Sequence, residues 1–184
     1  MSEFQQAVRT LIEWIGEDPD REGLKDTPER VARSFAEFFD GYGREPNYIL
    51  KCFSAEDCDE LIVVKDIEFV SFCEHHILPF QGVAHVGYIP NGRIVGLSKI
   101  PRLVDIFAKR LQVQERLTTQ VANALMEHLQ PKGVGCVIEA KHSCLSCRGA
   151  KKQNAKMITS CLLGVMREDS KARSEFLDLI RSKT

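Results

Sequence analysis

Two short stretches hold residue types that could do chemistry: Phe72-Cys73-Glu74-His75-His76, and His142-Ser143-Cys144-Leu145-Ser146-Cys147-Arg148-Gly149. The first crowds a thiol, a carboxylate and two imidazoles together where an apolar run ends. Thiolate sulfur with imidazole nitrogen is the donor set that suits zinc. Cys73 and His76 are three positions apart, close enough to bind one ion from a turn. The second stretch adds His142, Cys144 and Cys147. Two sites can be written from these residues. Cys73, His76, Cys144 and Cys147 would make a closed, structural centre, whereas three protein ligands would leave the position for water that catalytic zinc needs. Glu74, His75 and His142 lie beside either set, and a structural site has no use for them, which favours catalysis. An activated water next to a histidine that moves protons near neutral pH is the equipment of a hydrolase or cyclohydrolase.

Cationic groups follow downstream at Ser98-Lys99, Arg102, Lys109-Arg110, Arg148 and Lys151-Lys152, near predicted strand and helix ends. Helix N-termini with Arg and Lys bind phosphate well. Glu115, just inside a predicted helix, could accept from the N1–H and 2-amino edge of a guanine; on residue type alone it reads first as a favourable charge in a first turn. Arg30 and Arg33 stand three apart on another helix, equally readable as a solvated face or an anion site. His85 reads as a packed or surface strand histidine rather than a ligand, and His128 as a partial cation at a helix C-terminus.

The elements that must position these groups are legible in outline. Ala7, Val8, Leu11, Ile12 and Ile15 have helical spacing, ending by Asp18-Pro19. Thr27 as N-cap and Pro28 at the first helical position start a second helix, with Val31, Phe35, Phe38 and Phe39 on its apolar face and Gly41-Tyr42-Gly43 at its end. Residues 44–59 read as a loop. Branched and aromatic residues from Leu61 to Val70 predict a strand that delivers Cys73. A second strand, 82–89, turns at Pro90-Asn91-Gly92 into 93–97, which predicts a hairpin. Residues 98–129 are helical with a break at Leu111-Gln112-Val113-Gln114. Val134–Ala140 predicts a strand leading to His142 and Cys144, Met157–Met166 another, and Ser170 caps a final helix through Phe176, Leu177 and Ile180. The pattern is an α+β domain with a mainly antiparallel sheet.

At 184 residues the chain can bury one good core, and its formal net charge of -1 gives no field that favours nucleic acid or membrane. Seven cysteines, an odd number, do not read as a disulfide framework. Cys52, Cys58, Cys136 and Cys161 read as ordinary thiols. The N-terminal Met1-Ser2-Glu3-Phe4-Gln5-Gln6 lacks the basic region and apolar core of a signal, so a cytoplasmic protein is expected.

Beyond single residues, the chain resembles GTP cyclohydrolase I. The resemblance rests on Cys73-Glu74-His75-His76 with Pro79-Phe80-Gln81-Gly82, Tyr88-Ile89-Pro90, Gly96-Leu97-Ser98-Lys99, Arg102, Gln112-Val113-Gln114-Glu115-Arg116-Leu117-Thr118, and His142-x-Cys144-x-x-x-Arg148-Gly149. Asp26-Thr27-Pro28-Glu29-Arg30-Val31-Ala32 and the tail Phe176-Leu177 also fit, so nearly the whole chain is spanned in order. The resemblance implies the tunnelling fold, an antiparallel sheet with helices on one face and an N-terminal helical extension. Residues 1–55 would be that extension and 56–184 the catalytic domain. It further implies a homodecamer with active sites between subunits, and a reaction taking GTP and water to formate and 7,8-dihydroneopterin triphosphate. By the same resemblance Cys73, His76 and Cys144 hold zinc and leave Cys147 without a metal role. His75 and His142 are catalytic, and Gln114 and Glu115 hold the guanine edge. Ser98, Lys99, Arg102 and Arg148 grip the ribose and triphosphate, with Arg30 and Arg33 added from a neighbouring chain. Cys147, Ser143 and Ala155 depart from the family's usual residues. A related reading, a nitrile reductase of queuosine synthesis, uses a cysteine nucleophile without catalytic zinc, and the full Cys73/His76/Cys144 set argues against it. A zinc-stabilised assembly protein is disfavoured by the presence of both His75 and His142.

Overall fold

Strands form at β1 (Cys52–Ser54), β2 (Ile62–Cys73), β3 (Pro79–Ile89), β4 (Arg93–Val95), β5 (Leu111–Gln112), β6 (Gly133–His142) and β7 (Met157–Gly164). The computed structural model describes residues 2–182, so Met1 of the N-terminal stretch lies outside it. Five strands, in the order β5-β2-β3-β6-β7, make the sheet that carries both chemical stretches. The pairs β2–β3, β3–β6 and β6–β7 are antiparallel, and β5 runs parallel to the end of β2 through Phe72↔Leu111 and Cys73↔Gln112. The break expected at residues 111–114 is thus a short strand as well as a helix boundary. Too short to show a period, it takes its conformation from pairing with β2.

Two expectations about strands change. The predicted hairpin of 82–89 with 93–97 does not form. Both edges of β3 are already taken, by β2 and by β6 through Tyr88↔Val134 and Ile89↔Gly133, so β4 pairs instead with β1. That partner lies within residues 44–59, which were expected to be loop throughout. Cys52-Phe53-Ser54 is extended only because Arg93–Val95 offers it a ladder.

Two helices, α3 (Lys99–Ala108) and α4 (Gln114–Leu129), cover one face of the sheet. Ile100, Leu103, Val104 and Phe107 of α3, with Leu117, Val121, Leu125 and Leu129 of α4, bury against Ala84, Val86, Tyr88, Cys136 and Ile138. The stripes read from helical spacing are therefore the core. The last helix (Ser170–Arg181) adds a contact on the opposite face, where Phe176 covers Gly87 and Gly135. A Cβ on those glycines would come within 2.9 and 2.7 Å of the Phe176 ring, so the missing side chains admit the helix. Its N-cap is Asp169, whose carboxylate accepts from Lys171 N, rather than Ser170.

Residues up to Asp40 form one compact unit and those from Gly41 onward another; the division expected after residue 55 falls inside the second. The first unit pairs α1 (Glu3–Trp14) with α2 (Thr27–Phe38). Ser2 and Gln5 form a capping box at the start of α1, and Phe4 meets Phe35 at a centroid distance of 5.3 Å. Pro28 lies in the first turn of α2 as expected, while the N-cap is Asp26 rather than Thr27, without a side-chain cap bond. No helix among the described residues is long and apolar enough to cross a membrane.

Candidate functional site

The turn from β2 to β3 is tight. Cys73 N donates to Leu78 O at 2.9 Å and Ile77 N to Cys73 O at 2.8 Å. Closing it puts Ile77 at φ 53°, a conformation that branched side chains rarely adopt and that clusters at working sites. Glu74 N donates to Gln112 O at 3.0 Å, tying the turn to β5. On the other side of β3, the register Phe80↔His142 ends β6 at the same edge of the sheet, and the single helical turn α5 (Ser143–Ser146) carries Cys144 inward. The outcome is that the ligand atoms of Cys73, His76 and Cys144 all lie within 4.8 Å of one another. Donors around a tetrahedral zinc, bonded at roughly 2.0–2.3 Å, stand about 3.5–4 Å apart, so two thiols and an imidazole so placed fit that ion. Cys147 is exposed and outside this group.

Burial, with the Cys73 thiol beside it, pushes the Cys144 thiol up from its ordinary pKa. A bound dication reverses that preference and takes the thiolate. Arg148 Nη1 lies 2.8 Å from His76 Nε2, which places a guanidinium at the rim of the group.

His142 is held on two sides. Its ring lies flat on Phe80, with centroids 4.5 Å apart and planes within 3°. Its Nε2 is 2.8 Å from Gln114 Oε1. Burial lowers its pKa from the ordinary histidine value, and the Glu115 carboxylate partly offsets this. Gln114, expected at the guanine edge, is only 1% exposed, whereas Glu115 beside it is exposed.

Glu74 is held by Arg116, whose Nη2 contacts its carboxylate. Arg116 Nε in turn donates to Gln112 Oε1 at 3.0 Å, and Gln112 Nε2 to Phe107 O and Gln120 Oε1 at 2.8 and 2.7 Å. His75 projects from the turn, more than half exposed, with Nδ1 3.8 Å from Cys73 Sγ and Nε2 3.9 Å from Glu74 Oε1. Sequence reasoning missed Phe80 and Arg116 as site residues. Phe80 could have been found from the register of two strands ending together, but residue type and helical spacing carry no signal for Arg116's contact with Glu74.

Other candidates stand apart. Ser98 is the N-cap of α3, with Lys99 and Arg102 in its first turn, and this end of α3 follows β4, near Tyr88. Phe80 and Tyr88 are eight residues apart along β3, roughly 25 Å at ~3.3 Å per residue, so one chain does not bring the Ser98 cluster to its own Cys73. Arg30 and Arg33 sit on the exposed surface of α2, paired with Asp26 at 3.3 Å and Glu29 at 3.8 Å. His85 is buried, its Nδ1 accepting from Asp66 N at 3.1 Å. Of the packed and surface alternatives it is the packed one, and the bulge between Val64 and Ile67 is what turns the Asp66 amide toward it.

Comparison with known proteins gives a consistent pattern. The family model described as GTP cyclohydrolase I matches residues 4–181. The chain is 56% identical over 179 residues to "GTP cyclohydrolase 1" of Thermobifida fusca (strain YX), covering 96% of this chain and 86% of that relative. It is 54% identical over 181 residues to the protein of the same name from Thermoanaerobacter pseudethanolicus, covering 98% and 96%. For Bacillus cereus (strain B4264) the figures are 50% over 184 residues, 100% and 97%. Among solved structures, the apo archaeosine synthase QueF-Like aligns with a TM-score of 0.47 at 16% identity, over 56% of this chain and 93% of that one.

Proposed function

The chain belongs to the GTP cyclohydrolase I family, and from that premise we propose how its residues take GTP and water to formate and 7,8-dihydroneopterin triphosphate. It is an enzyme of that family, with the family's α+β tunnelling fold. The observation that carries the division of roles is the meeting of Cys73, His76 and Cys144 beside His142 stacked on Phe80.

Cys73, His76 and Cys144 would hold zinc. Once there, the ion supplies Lewis-acid chemistry, polarising water for attack at an electrophilic carbon such as C8 of the purine. The chain's own groups do the rest. His142, whose pKa burial lowers, can take a proton and return it to a ring nitrogen as the imidazole ring of the substrate opens. His75, exposed on the turn, is the second proton carrier, steadied by Glu74, which Arg116 fixes in turn. Glu115 presents an exposed carboxylate near His142, where it can accept from N1–H and the 2-amino group of guanine. Arg148, at the rim of the metal group, would bind the triphosphate.

Ser98, Lys99 and Arg102 complete the phosphate grip only if a neighbouring subunit supplies them. Their separation from Cys73 within one chain supports active sites shared between subunits of a homo-oligomer, a decamer in our reading. Arg30 and Arg33 are further contributors to the phosphates from a neighbouring chain. In our reading the catalytic machinery lies within 56–184 and the enzyme works in the cytoplasm.

The roles separate experimentally. Cys144→Ala is expected to lose both zinc and product formation, and His142→Ala to keep zinc and lose turnover, measured by metal analysis and by fluorescence of the oxidised pterin. Full zinc content in Cys144→Ala would overturn the ligand set.

A further inference from the structure

Gln114 opens α4, is buried, and spends its whole carboxamide inside the protein. Its Nε2 lies 3.0 Å from Ile138 O, 3.1 Å from Met157 O and 3.1 Å from Thr159 Oγ1. Backbone carbonyls only accept, so the atom facing them must be the amide nitrogen, and the amide cannot be turned over. The hydroxyls fix the rest of the loop. Thr118 Oγ1 donates to Gln114 O at 2.7 Å and so accepts from Thr159 Oγ1 at 2.6 Å, leaving Thr159 to accept from Gln114 Nε2. The two amide hydrogens are shared among these three acceptors, so the nitrogen is fully engaged.

With the nitrogen committed to β6 and β7, Gln114 Oε1 faces His142 Nε2 at 2.8 Å. An amide oxygen can only accept, so His142 carries its proton on Nε2. Phe80, stacked on the ring, removes the remaining freedom to rotate. His142 Nδ1 has no hydrogen-bond partner among the described residues.

We infer that Gln114 is a positioning residue that holds His142 in the Nε2–H tautomer, leaving Nδ1 as the atom that exchanges a proton with the substrate. The inference rests on the assignment of His142 as a proton carrier in ring opening. Nδ1 takes up the proton that the attacking water gives up as its oxygen bonds to C8, and delivers it to the purine nitrogen that keeps the electron pair of the breaking C8–N bond; Nε2–H stays in place and the imidazole is regenerated. The carboxamide has no donor to spare for a guanine edge, so that recognition falls to Glu115 alone of the two.

The tautomer is read directly by solid-state NMR of the zinc-loaded wild-type enzyme with ¹⁵N-labelled histidine, the His142 signal being assigned by its loss in His142→Ala. A protonated Nε2 and an unprotonated Nδ1 are expected; the opposite tautomer overturns the inference. Gln114→Met keeps the length of the side chain without its polar atoms. Misplacing a catalytic group can cost ~10²-fold, so kcat is expected to fall roughly 10- to 100-fold with GTP affinity unchanged. Weakened GTP binding at unchanged kcat would show Gln114 on the substrate and overturn the inference. Thr159→Val, which removes only one anchor of the amide, is expected to move kcat in the same direction by less and decides the question if Gln114→Met does not fold. An unchanged kcat in that variant counts against the inference. A wild-type enzyme that released no formate from GTP would instead strike at the family activity, leaving the tautomer measurement standing.

Discussion

The imidazole of His142 lies parallel to the ring of Phe80, 4.5 Å between centroids, because the two residues face each other across the β3–β6 ladder. Phe80 is buried, so replacing it with alanine would open a cavity costing about 3–5 kcal/mol and confuse function with folding. Phe80→Leu is the cleaner variant. Aromatic contacts are worth ~0.5–1.5 kcal/mol, and every ~1.4 kcal/mol is tenfold. We therefore expect kcat to fall by a few- to about tenfold with zinc content intact, measured by steady-state kinetics and metal analysis.

His85 makes native stability depend on pH. Burial holds its pKa below the ordinary value of 6.5, while Asp66 and Glu139 pull it up and Lys65 pushes it down. The unfolded chain takes up this proton at about pH 6.5, the native chain only at lower pH. Stability is thus complete above about 6.5 and is lost as the pH falls toward the native value. Protonation would also abolish the acceptor for Asp66 N–H. His85→Asn keeps an acceptor without a titrating ring, so its Tm should fall less steeply than that of the wild type between about pH 6.5 and 5.

Cys147 distinguishes an open from a closed centre. It is exposed and outside the group formed by Cys73, His76 and Cys144. Cys147→Ser is expected to bind zinc in the same stoichiometry as the wild type and to retain activity. Loss of zinc from this variant would restore the closed, four-ligand reading.

Glu115 should act on substrate binding more than on the fold. It is exposed in the first turn of α4, so Glu115→Gln is expected to leave Tm within a degree or two. A hydrogen bond to a charged group is worth ~1.5–3 kcal/mol, so KM for GTP should rise roughly 10- to 100-fold. An unchanged KM would remove Glu115 from the guanine edge.

What the sequence made legible was whatever depends on period and residue type. Val/Ile/Phe-rich runs located β2 and β6, apolar stripes located α3 and α4, and thiol-imidazole chemistry pointed to Cys73, His76 and Cys144. What it hid depends on pairing between distant segments. Cys52–Ser54 and Leu111–Gln112 have no strand signal of their own and become strands beside Arg93–Val95 and Phe72-Cys73. The side-chain directions of Gln114, Phe80 and Arg116 depend on which residues those pairings bring opposite, so their service to His142 and Glu74 could not be read from type or spacing.

The central claim is tested by incubating the purified, zinc-loaded protein with GTP and measuring formate and 7,8-dihydroneopterin triphosphate together. Both products in a one-to-one ratio, lost on removal of zinc and recovered on its return, are the expected result. Full zinc occupancy without formate would contradict it.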